Sequence, residues 1–501
     1  MKKLNFNLII VLFSICVYSK SFAQSFVIND VRLGDTAINY VNPEISPIGN
    51  YMVWIEVDSN GTTGKVWQCG IDPNTGDLIP SNGKGYSPFY STIYARPGDW
   101  GVDSLGVYYV GQTIMGQMKF VRPTSPTSAV VTNIPATIDN KRRVFYPSQL
   151  PGVNKRFVSY IWNDSIPGFS PNTPQNSYYQ LRLMDVNNPA NDYLIEQQNA
   201  IFPLPVPMDI IVPRWMKGTP YLTFGYKDVN NRAQVKEFCA LTPLNPPVPV
   251  TNDLANKIDG YPVRNPLSGE QYLMSGINAS DTAYFYKRTN FGQMFVQHEM
   301  VIPQTVHLTT PSLNQSHEPF FFNGQLYSTF QINNKGSNYL NTTLKQPGEI
   351  WMTTIDSSQQ TMWLLSNFDS TLNISEPEPY VGNGKVWVFY SATVIDTSSN
   401  NYFKKFHLRR CDTPMNQLSS VSSNSFKNSE ISIYPNPSNN QIFISGMDKH
   451  SFYLKVFDVN GQQIALYHNA NQIDLKDFPN GIYFVQIVTE RFIQTRKIVK
   501  Q

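Results

Sequence analysis

Apolar positions in this chain come in short bursts of about six to eight residues, rich in aromatic and β-branched side chains and cut by Gly, Pro and Asn. Such bursts predict antiparallel strands rather than helices, because branched and aromatic side chains pack well on a pleated surface. The bursts also repeat. Seven times between residues 40 and 415 a proline-bearing segment precedes a turn, with Pro43, Pro97, Pro147, Pro213, Pro262, Pro319 and Pro379 as markers. An aromatic-rich strand follows each turn: YMVWIEV, GVYYVGQT, RFVSYIW, PYLTFGY, QYLMSGI, QLYSTFQ and KVWVFYS. A third strand completes each unit: KVWQCGID, QMKFVRP, QLRLMDV, QVKEFCAL, TAYFYKR, EIWMTTID and KFHLRRC.

The markers lie 49 to 66 residues apart, the length of a propeller blade with three or four strands. Apolar and polar residues alternate imperfectly in the middle strands, as expected where both sheet faces pack on neighbours. Unit seven ends at KFHLRRC without an outer strand, whereas SFVINDVRL, 25–33, stands alone before unit one. Pairing the two would close a ring and remove both open edges. The expected fold is therefore all-β: a seven-bladed β-propeller over 25–415, with six or eight blades also compatible with the spacing. The segment EISPIGNYMVW resembles the strand-turn-strand of TolB-like propeller repeats, with Ile48 where that family places Asp. The resemblance implies architecture and transfers no ligand.

The chain opens with MKKLNFNLIIVLFSICVYSKSFAQ, a basic start, an apolar core and small residues before Gln24. This is the pattern of a signal peptide over 1–24, too short in its apolar core for a permanent membrane span. Its removal takes away Lys2, Lys3 and Lys20 and leaves 36 basic against 36 acidic residues. A neutral chain without a Lys/Arg run offers no electrostatic footprint for nucleic acid or anionic lipid. No later stretch is apolar for long enough to predict a transmembrane segment. Cys69, Cys239 and Cys411 remain, an odd and widely spaced set that reads as buried thiols in the third strands rather than a disulfide framework.

A Ser/Asn-rich linker is expected over 416–429, and a second β pattern fills 430–501. Its strands ISIYP, QIFISG, FYLKVFDV, QQIALYH, QIDLKDF, GIYFVQIV and FIQTRKIVKQ suggest a small immunoglobulin-like sandwich, with Asn-Gly pairs at 460–461 and 480–481. The motifs Tyr434-Pro435-Asn436-Pro437, Val456-Phe457-Asp458 with Gly461, Asp474-Leu475, Gly481-Ile482-Tyr483 and the basic last strand with Lys497 appear in this order. This module is similar to the C-terminal type A sorting domain of the type IX secretion system of Bacteroidetes-group bacteria. The resemblance implies that a translocon in the outer membrane reads the folded module, and that the propeller is released to the medium or held at the cell surface. Lys497 and Lys500 are expected as a charged, exposed end.

Catalytic motifs are absent from the sequence: no GxSxG elbow, no phosphate-binding glycine loop, no HExxH and no Cys/His cluster, so neither a cofactor nor a metal is expected. The loop DPNTGD, 72–77, has oxygen ligands but reads better as an Asx turn. His317-Glu318 reads as a structural pair near the channel, its imidazole satisfied. Charged and aromatic residues near the repeated prolines are the candidate ligand site at the channel mouth: Glu44, Arg96, Trp100, Arg214, Trp215, Arg264, Glu318, Glu378 and Tyr380. Trp and Tyr faces with Arg and Glu hydrogen bonds suit a glycan; a protein ligand is the other partner class. The sequence thus favours an exported noncatalytic binding or scaffold protein, with a secreted glycan hydrolase or lyase as the alternative.

Overall fold

The computed structural model describes residues 27–501 apart from 35–38, 58–62, 93–98, 135–144, 151–155, 164–176, 201–211, 231, 255–256, 258–259, 276–282, 301–304, 306, 310, 335–345, 357–359, 396–405, 417–431, 446–451, 459–462 and 490–492. The expected leader, nearly all of the linker, Arg96 and Gly461 lie outside the described residues.

Among the described residues the body forms seven antiparallel sheets of four strands, one carrying a fifth. We number them by their first strands: Tyr40–Ile45, Asp99–Asp103, Phe145–Pro147, Arg214–Trp215, Gly260–Arg264, Pro311–Phe322 and Leu372–Gly382. Each first strand lies at a sheet edge. It packs against the first strand of the next sheet, and that of sheet seven returns to Tyr40–Ile45. The ring of edges surrounds the axis of a β-propeller. Edge position explains the proline repeat: an edge strand has one side with no ladder to donate to, so a residue without N–H is tolerated there. Pro43, Pro147, Pro262, Pro319 and Pro379 all lie within first strands, and Pro213 immediately precedes one.

The predicted closure forms. Asp30–Leu33 runs antiparallel to Phe406–Asp412, with Asp30 opposite Cys411 and Leu33 opposite Leu408, so chain start and body end share sheet seven. Asn29 and Asp412 add a side-chain bond of 2.7 Å. Between sheets the core is continuous. Trp54, Cys69 and Leu78 of sheet one pack on Tyr380, Trp387 and Phe389 of sheet seven, while Val53 and Val66 meet Trp100 and Tyr109 of sheet two. Cys69, Cys239 and Cys411 are free thiols, the first and last buried. Burial pushes the Cys69 thiol up to about 12, which keeps it protonated and unreactive.

Residues 432–501 form a separate sandwich of three strands (Ser432–Tyr434, Gln441–Ser445, Gln472–Asp474) over four (Gln463–His468, Phe452–Phe457, Gly481–Thr489, Ile493–Lys500). Alternation along Phe452–Phe457 and Gly481–Thr489 sends Leu454, Val456, Val485 and Ile487 inward, against Ile442 and Ile473. Lys497 is exposed as expected. Lys500 is not: it is 8% exposed. Register explains the correction, since Lys500 stands two residues from Ile498 on the inward face of its strand.

Candidate functional site

Sheets six, seven and one each break register immediately ahead of a glutamate on the first strand. The shifts fall between Asn314 and Glu318, Ser375 and Glu378, and Val41 and Glu44. A β-bulge re-aims the side chain that follows it. In sheets one and seven the bulges are chemically alike. Asn42 (φ 49°) precedes Pro43-Glu44, and Glu376 (φ 56°) precedes Pro377-Glu378. A left-handed glutamate is uncommon and persists only where neighbours hold it. Here sheet six holds it: the Glu376 amide donates to Gln331 Oε1 at 2.9 Å, and Thr329 Oγ1 donates to the Pro377 carbonyl at 3.1 Å.

The three glutamates act on one another. Loss of hydration, then the charges of Glu318, Glu44 and Glu376, push the Glu378 carboxyl well above the usual carboxylate range; Arg214, from sheet four, pulls the other way. Arg214 is itself positioned by aromatic rings. It hydrogen-bonds the Tyr261 hydroxyl of sheet five, and its guanidinium lies 4.2 Å from that ring and 6.0 Å from the Tyr146 ring of sheet three. Thus Glu44, Glu318, Glu378 and Arg214 share one electrostatic neighbourhood. Glu376, Tyr146 and Tyr261 belong to it too and were not singled out from the sequence. Their only available signal was position on a first strand, which requires knowing which face the bulges present.

The expected aromatic platform is placed differently. Trp100 is 1% exposed and donates Nε1–H to the Glu44 carbonyl at 2.9 Å. Trp215 is also buried and makes the equivalent bond, to the Tyr146 carbonyl at 2.7 Å. Each indole clasps the preceding sheet's first strand, so its face is occupied by protein. Tyr380 is buried as well, its hydroxyl on Asn50 Oδ1 at 2.8 Å across the junction of sheets seven and one. Arg264 is exposed at the end of its strand, beside the turn that leads to Gln271, and is not brought to the cluster.

His317, next to Glu318, is 1% exposed, and neither ring nitrogen has a hydrogen-bond partner among the described residues; its ring lies 5.6 Å from Phe330. Burial without a partner holds it neutral and lowers its pKa to about 4. It is a packed ring rather than the satisfied one expected. Loop 72–77 is an Asx turn: Asn74 N–H donates to Asp72 Oδ1 at 2.8 Å. It also grips sheet seven, since Arg410 donates to the Thr75 carbonyl and to Asp77 Oδ1, both at 2.7 Å. Gly76 (φ +73°) lies so near Trp387 that a Cβ would stand 2.9 Å from the indole, which accounts for glycine there.

Residues 432–501 match the family described as the secretion system C-terminal sorting domain. The protein is accordingly exported by the type IX route to the cell surface or medium. No curated protein matches the chain. Among solved structures it is similar to a prolyl endopeptidase (9% identity, TM-score 0.39, 91% of this chain and 55% of that one). It is also similar to a Trypanosoma rangeli sialidase (8%, 0.37, 95% and 87%) and to a TolB-type protein of Agrobacterium tumefaciens (9%, 0.31, 65% and 94%). The chain therefore spans about half the length of the endopeptidase. Likeness at this level transfers no activity.

Proposed function

We propose that the exported propeller is a noncatalytic binding protein whose ligand is held at the channel by Glu44, Glu318, Glu378 and Arg214. One observation carries this reading: three successive sheets carry register shifts that gather like charges. Gathering carboxylates opposes folding, so a purely structural axis has no need of it, whereas polar recognition does. Mixed acceptors and a guanidinium suit the hydroxyls of a glycan, with hydrogen bonding replacing the stacking first expected from Trp100 and Trp215.

A second reading has its own support. A carboxyl whose pKa is raised beside other carboxylates is the pairing that glycoside hydrolysis uses, one group as acid and the other as base or nucleophile. The test is a glycan array with the mature chain beside Glu44→Gln, Arg214→Met and Glu378→Gln. The binding reading expects retention of one glycan class, weakened at least about tenfold in Arg214→Met, a loss of roughly 1.4 kcal/mol. Time-dependent cleavage of the retained glycan, abolished in Glu378→Gln, would replace it with the hydrolase reading. No retention of any glycan would leave a protein ligand as the partner to seek.

A further inference from the structure

The last strand of the sorting domain is held from both sides. On one side Ile493–Lys500 pairs with Gly481–Thr489. On the other, the Tyr434-Pro435-Asn436-Pro437 turn takes the place of a strand. Asn436 donates Nδ2–H to the Lys497 carbonyl at 2.8 Å and accepts the Val499 amide on Oδ1 at 2.9 Å, as a peptide group in a ladder would. Ser438 continues the pattern, its amide on the Val499 carbonyl at 2.9 Å and its carbonyl taking the Gln501 amide at 3.0 Å.

Lys500 closes the arrangement from within. Its ammonium donates to the carbonyls of Leu475 (2.5 Å), Lys476 (3.1 Å) and Phe478. These belong to one turn, tied by the Phe478 amide on the Leu475 carbonyl and by the Leu475 amide on the Asn440 carbonyl. An ammonium has three donors in a compact cone, and three carbonyls saturate them. A guanidinium is planar and wider, and its fork does not fit a cone of three converging carbonyls.

We infer that Lys500 serves export as an internal clamp that folds the chain terminus onto the 475–478 turn, and not as a positive charge read by the secretion machinery, with Asn436 as the matching clamp on the outer edge. Lys497, exposed on the same strand, is the internal control, since its loss removes an equal charge without touching the clamp. A sandwich of some 70 residues has little stability to spare. Three charge-assisted bonds are therefore a large share of what keeps its end in place.

The experiment follows full-length chain in its native host, comparing Lys500→Met, Lys500→Arg, Asn436→Ala and Lys497→Met. Two quantities are read: the extracellular fraction, and cleavage of the tail by limited proteolysis of the purified full chain. Both Lys500 variants should lower the extracellular fraction by about tenfold or more and make the tail protease-sensitive. Asn436→Ala should follow in the same direction, and Lys497→Met should stay within about twofold of the native chain. Wild-type export of Lys500→Arg beside failure of Lys500→Met would mean that charge is what matters and would overturn the inference. So would lost export with an unchanged proteolysis pattern, which indicates direct reading of the side chain, or normal export of Lys500→Met.

Discussion

The ring closure within sheet seven and the proposed ligand site both hold charge away from bulk water, and they do so in opposite ways. At the closure the Asp30 carboxylate, its side chain wholly inaccessible, is met by Arg409 Nε at 3.0 Å, the Tyr390 hydroxyl at 2.8–2.9 Å and the Asn367 amide at 2.9 Å. Both carboxylate oxygens there accept hydrogen bonds, and the charge fixes where Asp30–Leu33 docks. At the proposed site, the charges of Glu318, Glu44 and Glu376 act against ionisation of Glu378 and the Arg214 guanidinium offsets them. The closure reads as fastening. Like charges acting on Glu378 oppose folding, and this is the contrast on which the proposed ligand site rests.

The largest test of that contrast is Asp30→Ala. Removing one member of a buried ionic network leaves the other charge uncompensated, so the propeller's unfolding transition should lose about 3–5 kcal/mol in denaturant titration. A loss below about 1 kcal/mol would remove the closure's side of the comparison.

Next in size is an acid response from His317. Its folded pKa, about 4, lies below the ordinary 6.5, so its contribution to stability is intact above pH 6.5 and is lost as pH falls towards 4. Over that window the native chain should lose on the order of 3 kcal/mol that His317→Phe, packed on Phe330, does not lose. Parallel pH–stability curves for the two proteins would contradict this.

Glu378→Gln should move stability the other way. The Glu378 pKa is raised on folding, so the favourable contribution of its protonated form is complete below the unfolded value and is lost as pH rises towards the folded one. The glutamine variant, which cannot ionise, should therefore match the native chain near pH 4 and exceed it at pH 8 in thermal melts. A variant less stable at pH 8 would make Glu378 a structural residue. Smallest is Glu376→Gly, which removes left-handed strain and one of the facing carboxylates. A gain of about 1 kcal/mol in the same melts would sharpen the picture of a strained, charge-gathering mouth.

Much of the fold was legible because its signals are local. Prolines without a donor had to lie on edge strands, aromatic runs packed on both faces had to lie between sheets, and an unpaired strand at each end of the body had to find the other. The tail was legible for the same reason: Tyr434 to Pro437, the Gly481-Ile482-Tyr483 start and the strand periods are near-neighbour features. The candidate site was read only by halves. Glu44, Glu318, Glu378 and Arg214 share a setting, while Trp100, Trp215 and Tyr380 are spent inside the sheets. Nothing in the order of residues told which side chains along a first strand meet the axis, because a bulge of one residue exchanges the faces.

What the sequence by itself determined is the set of strands, their grouping in successive units and the export module at the end, since period, turn chemistry and composition act over a few residues. Only the tertiary structure decided which charges are neighbours. Glu44 and Glu378 lie over three hundred positions apart in the chain, and Lys500 meets a turn more than twenty residues away. Coulomb interactions and desolvation depend on distance in space and on access to water, and both are set by ring closure and by the packing of one sheet on the next.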